Sequence, residues 1–82
     1  MLTRLKSGSR VVGAKQSRRA IADGNAARVF LAEDADPGLT DPIRAMCAEK
    51  GVPVESVSGM RALGAACGIS VGAAVAVLLQ DA

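Results

Sequence analysis

Eighteen consecutive residues, Ala62 to Leu79, carry no charge, and within them Gly64, Gly68 and Gly72 recur at a spacing of four. Such a stretch is long enough to cross a membrane, and the glycine spacing is that of packed transmembrane helices. The residues inside it argue for a different use. Gly68 stops a helix, Ser70 and Gly72 interrupt the apolar run, and only Ala73 to Leu79 is continuously apolar. That run has the length of a strand. Because Ala74-Val75-Ala76-Val77-Leu78-Leu79 has no alternate polar position, it fits only a central strand covered on both faces. The rest of the chain must then supply cover for two sides of a sheet.

The remaining segments can do so. Arg10-Val11-Val12 reads as a short strand after a Ser7-Gly8-Ser9 turn, itself preceded by the short Leu2 to Lys6 stretch. Lys15 to Ala22 reads as a helix ended by Asp23-Gly24-Asn25, residues that tolerate the left-handed conformation. A second strand, Arg28 to Ala32, leads into the acidic turn Glu33-Asp34-Ala35-Asp36-Pro37-Gly38. Thr40-Asp41-Pro42 offers a capping residue with proline at the first helical position, and Ile43, Met46, Cys47 and Lys50 keep helical spacing up to Gly51. Val52 to Val57 is the third strand, Ser58 the cap of a helix from Gly59 to Cys67, and the final strand runs from Val71 or Ala73 to Leu79. Strand and helix alternate through short connections, which predicts an α/β fold: a three-layer α/β/α sandwich around a four-stranded mixed sheet. At 82 residues the chain closes one core and is expected to be one domain.

Composition removes several kinds of chemistry. The chain has no histidine, so histidine acid–base catalysis, histidine metal ligation and histidine-based triads are excluded. Phe30 is the one aromatic residue, which rules out recognition by stacking bases on exposed rings. Cys47 and Cys67 stand twenty residues apart without a partner at metal-ligand spacing, and read as reduced core thiols. The first six residues lack the apolar core of a secretion signal. The expectation is a cytoplasmic protein with no cofactor, no bound metal and no membrane segment.

The net charge of +2 conceals a division along the chain. Through Arg28 there are seven basic residues against one acid, or +6; from Val29 onward three basic residues face seven acids, or −4. A basic N-terminal third is the footprint of a polyanionic partner, unless the clustering is that of an ordinary solvated surface. Its most informative part is Val11-Val12-Gly13-Ala14-Lys15-Gln16-Ser17-Arg18-Arg19, where a strand passes through glycine into a basic helix start. Free backbone N–H groups and the positive end of the helix dipole attract phosphate there, with Lys15, Gln16 and Arg19 within about one turn of each other. Lys and Arg donate to guanine O6 and N7, while Gln both donates to and accepts from a base edge. The residues alone leave nucleic-acid binding, nucleotide binding and a plain solvated helix open. Asp34 and Asp36, after a strand, could pair around Mg²⁺ for phosphoryl chemistry, or simply shape the turn before Pro37.

Three blocks resolve the choice: Gly13-Ala14-Lys15-Gln16-Ser17-Arg18-Arg19, Ala32-Glu33-Asp34-Ala35-Asp36-Pro37, and Leu63-Gly64-Ala65-Ala66-Cys67-Gly68-Ile69-Ser70-Val71-Gly72-Ala73-Ala74. In their order and spacing, over nearly the whole chain, they resemble the kink-turn-binding ribosomal-protein superfamily of the L-seven-Ae type, and most closely its short bacterial YbxF-like members. The resemblance implies that residues 1–82 form a kink-turn RNA-binding domain without enzyme activity. It implies that the first block meets tandem sheared G·A pairs, reading guanine edges in a groove opened by the bend. The position held by Asn in archaeal members falls on Lys15, the family's Glu on Gln16 and its Lys on Arg19. These replacements keep the donors and remove a carboxylate.

The same resemblance sets Ile69, Ser70 and Val71 against the nucleotides of the three-base bulge, and Arg61 near the RNA backbone. The RNA-binding set is therefore Gly13, Lys15, Gln16, Arg19, Arg61, Ile69, Ser70 and Val71. The expected partner is a structured RNA containing a kink-turn, in ribosomal RNA or a riboswitch, bound by a monomer, as a ribosomal protein or a ribosome-associated one. Two other classes stay in view: a small nucleotide-binding or Mg-dependent phosphoryl-transfer protein using the Gly13 helix start with Asp34 and Asp36, and a protein-interaction module sharing the fold.

Overall fold

The computed structural model describes residues 9–80, so the Leu2 to Lys6 stretch and the first two residues of the expected turn, Ser7 and Gly8, lie outside the described residues. The elements follow as β1 (Arg10–Val12), α1 (Ala14–Ala22), β2 (Ala26–Ala32), α2 (Pro37–Lys50), β3 (Val54–Val57), α3 (Met60–Ala66) and β4 (Val75–Leu79). The four strands form a sheet in the order β1-β4-β2-β3. β4 runs antiparallel to both of its neighbours, while β2 and β3 are parallel. The expected α/β fold with a mixed four-stranded sheet is the one observed.

The uncharged last strand sits in the interior of that sheet because every second residue finds an apolar layer on each side. Val75 and Val77 join Val29 and Leu31 beneath Ile21 of α1 and Ile43 and Cys47 of α2. Ala76 and Leu78 point the other way, to Phe30, Val57, Leu63 and Cys67. Phe30 lies directly opposite Ala76 in the register, so the largest core side chain faces one of the smallest. Close packing of this kind fills the layer without strain. Phe30, Ile21, Leu31, Ile43 and Leu63 are fully buried, and each stabilises the fold by about 1.5–3 kcal/mol relative to exposure. A charge at Val77, buried in a strand paired on both sides, would break the layer beneath α1 and α2.

Strand directions decide where the loops gather. Since β1, β2 and β3 run one way and β4 the other, the ends of the first three and the beginning of the fourth share one end of the sheet. Gly13, the Glu33–Asp36 turn, Gly59 and the segment before β4 all meet there.

Local boundaries differ from the sequence expectations for identifiable reasons. α2 starts at Pro37 rather than after Thr40: Asp36 is its N-cap, and the Asp36 carboxylate accepts from the Gly38 N–H at 2.9 Å. Pro37 occupies the first turn, where its missing N–H costs nothing, and Pro42 lies inside the helix. Ser58 does not cap α3; the N-cap is Gly59, and no side chain of its own closes that end. β2 begins earlier than expected, at Ala26, and β3 later, at Val54, although the Pro53 carbonyl still accepts from the Val29 N–H at 2.9 Å. Among the described residues no helix is long and apolar enough to cross a membrane.

Candidate nucleic-acid interface

The strand-to-helix passage at Gly13 depends on its lack of a side chain. Its backbone has φ +104° and ψ 152°, a conformation essentially reserved for glycine. A Cβ there would meet open space, so torsion, not crowding, requires the residue. Gly13 donates its N–H to the Val75 carbonyl at 3.0 Å and accepts from the Ser17 N–H at 3.0 Å. The turn is thereby joined to the start of β4 on one side and to the first helical bond on the other.

The N-terminus of α1 has no side-chain cap and no acid in its first turn. Lys15, Gln16, Arg18 and Arg19 are exposed, while Ser17, Ala20 and Ile21 turn inward. The free N–H groups, the helix dipole and Lys15 therefore add with one sign at one place, and they favour an anion. Gln16 and Arg19 also line an open groove of about 220 Å³ with Val11, Asp23, Asn25 and Leu79.

The second part of the site is the loop between α3 and β4. Gly68, at φ +80°, closes α3, and the Ile69 N–H reaches back to the Gly64 carbonyl at 3.1 Å. The chain then crosses directly over the helix. A Cβ at Gly64 would collide with the Val71 carbonyl oxygen and lie 3.0 Å from the Val71 carbonyl carbon. The glycine spacing that resembled a transmembrane packing motif serves instead to let a loop lie on a short helix. Ile69 packs against the core below, and Ser70 is exposed. Val71 is 67% exposed, an apolar side chain presented outward where its backbone lies against Gly64.

Since Gly13 is bonded to Val75 and the Ala32 N–H to the Ala74 carbonyl, the structure brings Gly13, Lys15 and the Ile69–Val71 loop to the same end of the sheet. Arg61 is exposed in the first turn of α3, next to Met60. Arg10 differs from these cations. It is half-buried on β1, with its Nε out of contact with solvent and without a partner among the described residues. Burial pushes the nearby Cys67 thiol up, and the Arg10 guanidinium beside it pulls the other way.

The acidic turn has a structural task. Asp36 caps α2, and the Asp34 Oδ1 accepts from the Met60 N–H at 2.8 Å. Each carboxylate thus already accepts a backbone N–H at a helix start, and capping accounts for both without a metal ion.

Sequence comparison places this arrangement. The sequence matches the ribosomal protein L7Ae/L30e/S12e/Gadd45 family over residues 2–82. The chain belongs to that family. An RNA-binding protein of Geobacillus sp. (strain WCH70) is 45% identical over 76 residues, covering 93% of each chain. The RNA-binding protein YbxF of Geobacillus stearothermophilus is 43% identical over the same length and coverage. Among solved structures, the Giardia lamblia 15.5kD RNA binding protein superposes with a TM-score of 0.90 at 32% identity, covering 98% of this chain and 71% of that one. These L7Ae-family relatives are named for binding RNA, not for catalysis, in keeping with the absence of enzyme chemistry expected from the residues.

Two residues important to the site were not singled out for it by the sequence. Asp34, by sequence a possible Mg²⁺ ligand, is a cap on a helix that begins 26 residues later. Gly64 was weighed as a helix-packing residue and proves to be the crossing point of the loop. The repeated glycines signalled a close approach, but not which segment made it.

Proposed function

We propose that this chain is an RNA-binding protein that recognises and stabilises a kink-turn in a structured RNA, such as ribosomal RNA or a riboswitch. In this reading Lys15, Gln16 and Arg19 meet the guanine edges of the tandem sheared G·A pairs, with Gly13 allowing close approach of the backbone. Ile69, Ser70 and Val71 lie against the bulged nucleotides, and Arg61 contributes charge toward the RNA backbone. The protein acts as a monomer in the bacterial cytoplasm, as a ribosomal or ribosome-associated protein.

The observation that carries the reading is the junction at Gly13. An uncapped, basic helix start is tied by the Gly13–Val75 hydrogen bond to the root of a loop that displays an exposed valine. One surface thereby offers fixed donors for base edges and phosphates beside an apolar contact for unstacked bases. The resemblance to kink-turn-binding proteins supports the choice of a kink-turn as the RNA. The test is a titration of a kink-turn RNA against the same RNA with its G·A pairs replaced, alongside nucleotide with Mg²⁺. Preference for the intact kink-turn is the expected result. Equal affinity for both RNAs, or tighter binding of the nucleotide, would overturn the proposal.

A further inference from the structure

α3 is seven residues long and begins after a glycine, so nothing in its own sequence closes its N-terminal end. A helix this short has few internal bonds to offset its uncapped N–H groups. The closure comes from the turn after β2, where the Asp34 Oδ1 accepts from the Met60 N–H at 2.8 Å. That turn is itself seated on the sheet through the Glu33 N–H and the Val57 carbonyl, 2.8 Å apart. The carboxylate lies close against Gly59: a Cβ there would stand 3.4 Å from the Asp34 Oδ2, in ordinary contact.

Met60 is also where the α3–β4 loop returns. Its carbonyl accepts from the Ala73 N–H at 2.9 Å, and its Cβ would lie 3.2 Å from a Cβ placed on Gly72. The loop is thus held at Gly64 where it crosses the helix and at Met60 where it leaves it. Asp34 holds Met60.

Asp34 is exposed. On a surface that meets a polyanion, an exposed carboxylate opposes binding, and electrostatics alone predicts tighter RNA binding when it is removed. We propose that Asp34 is a positioning residue for the loop that faces the RNA bulge: through the Met60 N–H it fixes the start of α3, and through the Met60 carbonyl and side chain the placement of Ser70 and Val71. Its effect on RNA rests on the kink-turn reading above; its effect on the loop does not.

The test uses the full chain with Asp34→Ala, which removes the acceptor, and Asp34→Asn, which removes the charge and keeps an acceptor oxygen. Amide chemical shifts of the free proteins are compared, and each is titrated with a kink-turn RNA and with the same RNA carrying abasic bulge positions. Asp34→Ala should move the Ser70, Val71 and Gly72 amides while leaving Lys15 and Gln16 in place. It should bind the intact RNA about fivefold to tenfold more weakly, the size expected for a lost cap, and the abasic RNA nearly as well as the wild type does. Asp34→Asn should restore the loop shifts and bind at least as tightly as the wild type. Unmoved loop amides in Asp34→Ala, or binding of the intact RNA that is unchanged or stronger, would overturn the inference, as would an equal loss on both RNAs. Should the wild-type protein fail to prefer a kink-turn, the function reading falls, and the loop amides alone decide the role of Asp34.

Discussion

The starts of α1 and α3 lie at the same end of the sheet, beyond its two opposite edge strands, follow glycine N-caps, and lack a cap from their own side chains. Their surroundings differ in sign. At α3 a carboxylate from another loop accepts the Met60 N–H, so the positive end of that helix is spent on the fold. At α1 no acid stands in the first turn and Lys15 is exposed, so the positive end is left for something outside the chain. α2 follows the pattern of α3, with Asp36 as its cap. Of the three helix starts among the described residues, the one that is electrostatically unfavourable for the isolated protein is the one suited to an anion, and this is the contrast that experiments can break.

The most severe test makes the first helix start resemble the third. Lys15→Glu places an acid in the first turn of α1, where it favours the helix by about 0.3–1 kcal/mol. The same change removes the donor proposed to read a base edge and sets a negative charge against the RNA, at an expected combined cost on the order of 3 kcal/mol in binding. Thermal stability should rise slightly while kink-turn affinity collapses, and melting curves with titrations check both. A variant that is destabilised, or that keeps its RNA affinity, would mean the start of α1 is an ordinary solvated helix end.

Milder truncation separates specifying residues from attracting ones. Lys15→Ala and Gln16→Ala should each cost about 1–3 kcal/mol against a kink-turn and much less against RNA whose G·A pairs are replaced. The ratio of the two affinities should therefore shrink. If both affinities fall equally, this helix start is an electrostatic patch and the base-reading role is wrong.

The parts of this contrast were unequally legible in the sequence. The Gly13–Arg19 block could be read because everything it needs is local: a strand, a glycine and basic residues within one turn. The placement of β4 was legible because a strand with no alternate polar position needs cover on both faces. The start of α2 was misread because two cap-and-proline signals, Asp36-Pro37 and Thr40-Asp41-Pro42, compete within seven residues. Either proline could open a helix; the earlier one wins because Asp36 reaches the Gly38 N–H, and one lost internal bond at Pro42 is outweighed by the burial of Thr40, Ile43 and Cys47. The closure of α3 had no local signature at all, since Asp34 and Met60 meet only after the sheet has formed. Helix caps are visible in a sequence when they are near neighbours.

A third prediction concerns the apolar half of the site. Val71 is exposed, and only its backbone is pinned by Gly64. Val71→Asp should leave stability within about 0.5 kcal/mol while weakening kink-turn binding about tenfold, because an added charge then faces phosphates. Loss of stability with affinity preserved would show that the side chain serves the fold.

The smallest effect on recognition is expected from cations that stand outside the reading set, and here the structure divides what charge alone would group. Arg18 is fully on the surface of α1 and can only add to the field. Arg18→Ala should weaken intact and altered RNA alike by a few tenths of a kcal/mol, leave melting unchanged, and make the salt dependence shallower by up to about 0.9 in the log–log slope. Arg10 belongs to the same basic N-terminal third of the sequence, but it is half-buried, with its guanidinium beside Cys67 under the end of α3. Removing it exposes apolar surface that its stem covers. Arg10→Ala should therefore lower the melting temperature by several degrees, the shift expected for about 1 kcal/mol in a domain of this size, while discrimination between the two RNAs stays intact. Titrations of both variants on both RNAs at two salt concentrations, paired with melting curves, decide the matter. If Arg10→Ala leaves stability untouched and flattens the salt dependence as Arg18→Ala does, Arg10 is a field residue after all; if either variant erodes discrimination, reading and attraction are not separable on this surface.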